Sequence, residues 1–310
     1  MYTPTLRQLE YLVAIAETGQ FSAAARRCGV SQPALSRQVR EVEAGLSVVC
    51  FERRRSGTLV TPEGAVLLAH ARRVLAESRS LTEAASALGD PLRGRLRMGV
   101  IPTIAPFLLP RLLPRLRVSL PDLTLELFEG MTEDIRARLL DGRLDLALIA
   151  LPYPSAGLVS RTLLREPFAL AAPLGHPLDA PGPATLDEVL SHRLLLLSQG
   201  HCLRDHVMQA CRLTEGAAVQ ATSMTTLLLM VASGLGATLV PAAALSPSPG
   251  VALRAFSTPA PSRQIGLWWR PNAPRTLAIS RIGDLIIDSA AELPPPPPMP
   301  GPPPLLSAVG

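Results

Sequence analysis

Two of the four cysteines lie nine positions apart, in a segment that also carries histidine and arginine. Cys202 has His201, Arg204 and His206 as near neighbours in the sequence. A thiol becomes reactive where positive charge or a helix N-terminus stabilises its thiolate, and helix-forming residues follow Cys202. If the segment from Cys202 to Cys211 were one helix, these residues would lie about 13.5 Å apart along its axis and on opposite sides of it. A disulfide requires Cα atoms within about 7 Å, so pairing would force this segment to unwind.

Two other interpretations of this segment stay open at this point. Free cysteines are among the most buried residue types, so both thiols could be inert parts of a core. His201 and His206 could instead join the two cysteines in binding a soft metal ion. Outside 201–211 the sequence has no histidine and cysteine pair at metal-binding spacing, no phosphate-binding glycine loop and no nucleophile elbow. We therefore expect no metal, no cofactor and no enzymatic activity.

Composition is typical of an intracellular protein with several domains. A length of 310 residues suggests two or three domains. Four cysteines are too few for a disulfide framework and fit a reducing cytosol, where disulfides tend to be transient and regulatory. The N-terminus lacks the basic region and apolar core of a secretory signal, so we expect a cytoplasmic protein. The net charge of +5 is modest and does not by itself indicate nucleic-acid binding.

One stretch without charged residues, 216–253, is long enough to be considered as a membrane span. Threonine, serine, glycine and Pro241 interrupt its apolar character. We expect a buried helix near Thr225–Ala232, a Gly-x-Gly turn and a buried strand near Thr238–Val240, and no contact with a membrane.

The first sixty residues carry the signals of three short helices. Thr5 and Gln8 form a capping box for the first helix, Ser22 is the N-cap of a second helix over Ala23–Cys28, and Ser31 is the N-cap of the third. The apolar residues of the third helix, from Leu35 to Leu46, repeat every three or four positions along one side. The opposite side carries hydroxyl and guanidinium groups, which is typical of a recognition helix in a DNA major groove. An ordinary amphipathic helix with a solvated face is the alternative. The residues that we expect to contact DNA from this helix are Ser31, Gln32, Pro33, Ser36, Arg37 and Arg40.

A basic hairpin is predicted directly after this helix. Val48–Phe51 has the pattern of a strand and Thr58–Val60 that of its return strand. The turn between them carries Arg53, Arg54 and Arg55, which we expect to contact phosphates or the minor groove. Residues 1–61 are therefore predicted to form a winged helix-turn-helix that binds DNA.

Residues 62–90 are predicted to form one long linker helix, with Thr61 as its N-cap and Pro62 in its first turn. Apolar and small residues alternate along it at spacings of four and three, which is a heptad seam that favours pairing with a second copy. The alternative is a long helix packed on a globular core. The seam residues are Leu67, Ala71, Val74, Ser78, Leu81, Ala85 and Leu88.

Strands and helices alternate over residues 91–290. This order predicts a mostly parallel sheet with helices on both faces, arranged as two lobes with a ligand crevice. The predicted elements of the first lobe are a strand at 95–101, a helix at 107–118, a strand at 123–128, a helix at 132–140 and a strand at 144–151. A similar set runs from 168 to about 240, followed by a strand at 265–270 and a helix at 275–285. The proline-rich segment 291–310 is predicted to be disordered, and we assign it no role.

The N-terminal motifs resemble those of LysR-type transcriptional regulators. They are QFSAAA at 20–25, VSQPALSRQVREVE at 30–43, FER at 51–53 and LVTPEG at 59–64, with departures at Ser47 and Cys50. The resemblance implies an N-terminal all-α winged helix-turn-helix with a long linker helix, and a C-terminal α/β effector domain of two lobes similar to periplasmic binding proteins. It also implies double-stranded promoter DNA as a partner, a homodimer through the linker helix, assembly into a homotetramer, and contact with RNA polymerase.

A second set of motifs is similar to the peroxide-sensing members of that family. These motifs are GHCLRD at 200–205, LEYLVA at 9–14, GVIPTIAP at 99–106 and ATSMTTL at 221–227. The resemblance implies that Cys202 reacts with hydrogen peroxide, that Cys211 resolves it as a disulfide, and that the protein controls oxidative-stress genes. The residues that it implies for binding and activating peroxide are Thr103, Thr132, His201, Arg204, Asp205 and Arg270. The competing hypothesis is a LysR-type regulator that responds to a small metabolite between the lobes, with incidental cysteines.

Overall fold

A computed structural model describes residues 2–54, 57–192, 194–212, 220–244 and 249–291. The chain forms two compact units. The first comprises residues 1–91 with the short segments 137–144 and 272–275, and the second comprises the remainder from residue 92. Arg55 and the proline-rich tail lie outside the described residues, so the predictions made for them have no structural counterpart.

Three helices and a hairpin form the core of the first unit, as predicted. The second helix begins at Phe21, two residues earlier than predicted, so Ser22 lies inside it and Gln20 is its N-cap, without a side-chain hydrogen bond. The capping box of Thr5 and Gln8 opens the first helix, and Gly19 and Gly29 end the first two helices in the left-handed conformation. Ser31 caps the third helix through its hydroxyl, which accepts a hydrogen bond from the Ala34 amide. The elements are α1 (Leu6–Thr18), α2 (Phe21–Cys28), α3 (Gln32–Leu46), β1 (Phe51–Arg54) and β2 (Gly57–Val60).

The first strand of the hairpin begins three residues later than predicted, at Phe51 instead of Val48. The Glu43 carboxylate of α3 accepts hydrogen bonds from the Cys50 amide at 2.8 Å and the Phe51 amide at 3.3 Å. These bonds tie the chain to the recognition helix before strand pairing starts. As a consequence, Arg53 and Arg54 lie within β1, paired with β2, and not in the turn.

The linker helix α4 spans Pro62–Gly89, and the Thr61 hydroxyl accepts a hydrogen bond from the Gly64 amide at its start. The N-terminal part of the predicted seam is covered, since Ala71 is buried. The later seam positions are open to solvent in the single chain, with Val74 47% exposed, Leu81 73% and Leu88 90%. These three positions are seven residues apart, so they form one exposed apolar line along the helix.

A mixed sheet forms the centre of the second unit, in the order β10-β6-β11-β5-β3-β4, with β9 also paired to β6. Its strands are β3 (Gly94–Val100), β4 (Leu123–Glu129), β5 (Leu146–Leu151), β6 (Val159–Pro173), β9 (Thr238–Pro241), β10 (Val251–Ala255) and β11 (Ser262–Trp269). The prediction of a mostly parallel sheet is wrong. Within the described part of this sheet, β3 alone pairs in parallel, with β4 and β5, whereas β6 and β11 pair antiparallel with their neighbours. The cause is the length of β6, whose first half pairs with β11 and whose second half pairs with β9 and β10.

The helices of the second unit follow the predicted order. They are α5 (Ala105–Ser119), α6 (Thr132–Leu140), α7 (Leu186–Leu190), α8 (Cys202–Cys211), α9 (Met224–Ala232) and α10 (Thr276–Ala291). Two short parallel strands, β7 (Leu196–Leu197) and β8 (Gln220–Ala221), flank α8 in sequence. The uncharged stretch forms α9 and β9 as expected, and no helix in the described part of the chain is long and apolar enough to cross a membrane.

Candidate redox site and DNA-binding surface

The two cysteines lie at opposite ends of α8, because Cys202 is its first residue and Cys211 its last. The helix places them about 13.5 Å apart along its axis, and both thiols are free. Cys202 is 4% exposed and Cys211 is 2% exposed. Cys211 packs with Leu203 and Val207 in a large apolar cluster of the second unit, and this burial raises its pKa to about 11. Since the cysteines are separated in this way, they cannot share one metal ion, and no group of three metal-binding side chains occurs among the described residues.

Burial is the dominant influence on the Cys202 thiol and raises its pKa above the usual value. The Arg263 guanidinium, the Thr132 hydroxyl and the Ala150 backbone act in the opposite direction, while Asp205 adds to the effect of burial. The net shift is upward, so Cys202 rests as a neutral thiol at neutral pH. This differs from the thiolate environment that its basic sequence neighbours suggested.

Arg263, which is not among the residues predicted from the sequence, provides the positive charge beside Cys202. Its side chain is almost completely buried and donates to a Glu166 carboxylate oxygen at 2.7 Å. It also donates to the Thr103 hydroxyl and the Thr103 carbonyl, each at 2.9 Å. The structure therefore connects the predicted residue Thr103 to Cys202 through a guanidinium whose position is determined by three hydrogen bonds.

Thr132 is the first residue of α6 and lies next to the Cys202 thiol, close enough to lower its pKa. Its hydroxyl oxygen is fully buried, yet it makes no hydrogen bond of good geometry within the described residues. Buried polar groups in folded proteins are nearly always hydrogen-bonded, so an unpaired hydroxyl beside a thiol is a place where a small polar molecule gains a partner.

His201 and Arg204 anchor the start of α8 through hydrogen bonds to the backbone. The His201 Nε2 lies 3.1 Å from the Thr222 carbonyl, and burial lowers the pKa of the ring. Arg204 is buried and donates to the Leu197 carbonyl at 3.4 Å. Asp205 lies on the solvent side of the same turn. These three predicted residues thus lie around Cys202 in sequence and in space, and the two buried ones hold the helix start in place.

Arg270 is not brought together with the other predicted residues. It follows β11, whereas Arg263 lies at the beginning of that strand. Seven residues of extended chain span about 23 Å, and Arg270 Nη2 lies 3.7 Å from an Asp145 carboxylate oxygen. The sequence does contain one indication that Arg263 is important: it is a charged residue at the start of an apolar strand. If such a residue is buried, it requires a partner of opposite charge. That partner, Glu166, is 97 positions away, and nothing in a single sequence identifies it.

The predicted DNA-contacting residues of α3 form one exposed surface, with one exception. Ser36 is buried, and its hydroxyl accepts a hydrogen bond from Arg53 of the wing at 3.1 Å. The Arg53 guanidinium also lies 4.1 Å from the centre of the Phe21 ring. These contacts hold the wing against the recognition helix. The exposed members of the predicted set are Ser31 at the N-cap of α3, Gln32, Pro33, Arg37 and Arg40 on α3, and Arg53 and Arg54 on β1.

Both units match known protein families. Residues 6–65 match the family described as bacterial regulatory helix-turn-helix protein, lysR family, and residues 89–291 match the LysR substrate binding domain. A probable hydrogen peroxide-inducible genes activator of Mycobacterium leprae is 39% identical over 292 residues, covering 92% of this chain and 94% of that protein.

Solved structures agree with this match. Full-length OxyR from Pseudomonas aeruginosa, with a cysteine replaced by aspartate, has 36% identity and a TM-score of 0.77, covering 92% of this chain and 95% of that one. A cysteine-to-serine variant of Corynebacterium glutamicum OxyR with bound hydrogen peroxide has 34% identity and a TM-score of 0.65, covering 94% of each chain. The chain therefore belongs to the LysR family of bacterial transcriptional regulators and, within it, to the OxyR group.

Proposed function

We propose that this protein senses hydrogen peroxide by reversible formation of a Cys202–Cys211 disulfide and thereby controls oxidative-stress genes. The observation that carries the proposal is the buried Cys202 thiol at the start of α8, beside Arg263 and the buried Thr132 hydroxyl. A second buried thiol lies at the other end of the same helix. The peroxide-inducible activator and the peroxide-bound OxyR structure among its relatives support the same chemistry.

The first step oxidises Cys202. Its sulfur attacks one peroxide oxygen, the O–O bond breaks, and the products are a sulfenic acid and one molecule of water. In this proposal the Thr103 and Thr132 hydroxyls hold the two peroxide oxygens. Arg263 stabilises the negative charge that develops on the departing oxygen, and such charge stabilisation is strong in a dry site. Burial of Cys202 favours a small uncharged oxidant over bulky disulfides.

The second step forms the disulfide. The Cys211 thiol attacks the Cys202 sulfenic sulfur, and water leaves. Because sulfurs at the two ends of an intact α8 are too far apart, the helix must unwind and Cys211 must leave its apolar cluster. This rearrangement of the second unit is the conformational signal.

The signal is transmitted to promoter DNA through the linker helices. The exposed line of Val74, Leu81 and Leu88 on α4 favours pairing with the same line of a second copy, which buries it. We infer a homodimer through α4, assembled into a homotetramer in the cytoplasm, with RNA polymerase as its partner at the promoter. The proposed role is regulatory and involves no turnover of a substrate.

The test is a non-reducing peptide map of the purified full-length protein before and after micromolar peroxide. We expect a peptide pair linked through Cys202 and Cys211 after treatment, which disappears on reduction. Absence of this link, with both thiols still reduced, would contradict the proposal. A regulator that responds to a metabolite between the lobes would then be the better hypothesis.

The DNA-binding surface gives a separate prediction. Arg37→Ala removes an exposed guanidinium from the recognition helix, so the affinity for operator DNA falls. The slope of log K against log salt concentration also becomes shallower by about one unit, because one phosphate contact is lost. The measurement is a fluorescence-anisotropy titration at several salt concentrations. Arg281→Ala, an exposed arginine on α10, is the matched control and leaves both quantities unchanged. An unchanged slope for Arg37→Ala would remove this residue from the proposed contact surface.

A further inference from the structure

His206 is a buried titratable residue for which the mechanism above has no role. It is 8% exposed and lies four residues after Cys202 on α8. Residues four apart occupy the same face of a helix, and helical side chains lean toward the N-terminus. The ring therefore lies over the turn that begins at Cys202. Arg263 on β11 acts electrostatically on both Cys202 and His206, so both side chains lie in the field of this guanidinium.

The hydrogen bonding of His206 leaves one ring nitrogen free for chemistry. The ring bonds to the backbone of Pro152, after β5, where the carbonyl is the only acceptor and the ring must donate. Nδ1 is fully buried and has no hydrogen-bond partner within the described parts of the chain. We assign the donating N–H to Nε2, because Nδ1 makes no hydrogen bond of good geometry with the described residues, and Nδ1 of the neutral ring is then a bare acceptor. A buried acceptor without a partner is costly unless something occupies it during function.

The charges around the ring keep it neutral. Burial is the largest influence and lowers the pKa of His206, and Arg263 lowers it further. The bond to Pro152 and the Asp205 carboxylate act in the opposite direction, with smaller effect. Cys202, one turn away, is itself a neutral thiol because burial raises its pKa. A neutral thiol and a neutral acceptor thus lie on the same helix face.

We propose that His206 carries the thiol proton of Cys202 to the departing oxygen of hydrogen peroxide. Nδ1 accepts the proton from sulfur as the sulfur electron pair attacks one peroxide oxygen. The O–O bond breaks with its electron pair on the second oxygen, which takes the proton from Nδ1 and leaves as water. Sulfur is oxidised to the sulfenic acid, peroxide is reduced, and the ring is neutral again. This inference rests on the proposed peroxide-sensing function and adds to it the group that moves the proton.

The experiment measures sulfenic acid formation in the full-length Cys211→Ser protein, in which oxidation stops at Cys202. Initial rates with peroxide are followed by dimedone trapping and mass spectrometry between pH 5.5 and 9, with and without His206→Gln. Glutamine keeps an acceptor of similar size but cannot carry a proton. A histidine outside the site, His192→Gln, is the control variant.

We expect His206→Gln to lower the rate at pH 7 by about 100-fold, the low end of the usual contribution of general acid–base catalysis. With His206 present, the rate is level near neutrality and falls as the pH drops through the lowered pKa of the ring, because the protonated ring no longer accepts. In His206→Gln the oxidation rate follows only the thiolate fraction of Cys202, so it rises about tenfold per pH unit. The difference in rate from the parent protein, which is Cys211→Ser with His206 intact, therefore narrows at pH 9.

Two results would overturn the inference. One is a His206→Gln protein whose rates and pH profile match those of His192→Gln. The other comes from the Cys211→Ser protein with His206 intact. If its rate of sulfenic acid formation rises tenfold per pH unit from pH 6 upward, only the thiolate reacts and His206 has no part in the proton transfer. Failure of the proposed function looks different, because the Cys211→Ser parent would then form no sulfenic acid at Cys202 at any pH.

Discussion

Cys202→Ser is expected to form no sulfenic acid and to lose all transcriptional response to hydrogen peroxide, whereas Cys211→Ser still oxidises at Cys202. The reason is that the two thiols have different surroundings. Cys202 has Arg263 and Thr132 beside it, while the only resolved influence on Cys211 is burial, which raises its pKa to about 11. In Cys211→Ser the sulfenic acid has no resolving thiol, so the response is weak or short-lived and over-oxidation to the sulfinic acid follows at high dose.

Hydrogen exchange adds a structural readout to the same variants. Forming the disulfide requires α8 to unwind, so oxidation raises amide exchange across residues 203–211 in the wild type and leaves it unchanged in both variants. Trapped sulfenic acid and exchange are measured by mass spectrometry, alongside a promoter reporter. Cys28→Ser and Cys50→Ser are the matched controls and respond as the wild type does, because both cysteines belong to the first unit. Peroxide-dependent transcription that persists in Cys202→Ser would rule out this thiol as the sensor.

Glu166→Ala is expected to destabilise the second unit by about 3–5 kcal/mol, the usual cost of leaving one member of a buried ion pair without its partner. The side chains of Arg263 and Glu166 are 1% and 8% exposed and are joined by a hydrogen bond of 2.7 Å. Without the carboxylate, the guanidinium keeps only its bonds to neutral Thr103 and loses its defined position beside Cys202. The rate of Cys202 oxidation therefore falls together with stability.

Tryptophan fluorescence during urea unfolding measures this effect, since both tryptophans of the chain, Trp268 and Trp269, lie at the far end of β11, the strand that begins beside Arg263. The control is Asp284→Ala, which removes the partner of Arg161 from an ion pair whose side chains are 37% and 49% exposed. Water screens such a pair, so its loss costs less than about 1 kcal/mol. Equal unfolding midpoints for the two variants would contradict the structural importance of the Glu166–Arg263 pair.

Local signals in the sequence determined most of the elements around the site. The capping box of Thr5 and Gln8, the apolar repeats and the turn glycines predicted the existence and order of α1 to α4 and the hairpin, and α6 spans the predicted residues 132–140. The segment between Cys202 and Cys211 is the helix that its residues suggested. Such features are decided within a few residues of the chain, by hydrogen bonds and periodicities that a single sequence displays.

The tertiary structure alone decided which charges reach the thiol and what they do to it. Arg263, and not Arg270, lies beside Cys202, because the choice depends on the register of β11 between β5 and β6. Strand register joins residues that are about a hundred positions apart, such as Glu166 and Arg263, and no local pattern encodes it. The protonation state of Cys202 likewise follows from a sum of burial and charges supplied by four separate segments of the chain. Basic neighbours in the sequence suggested a thiolate, but desolvation by the fold outweighs them and keeps the thiol protonated.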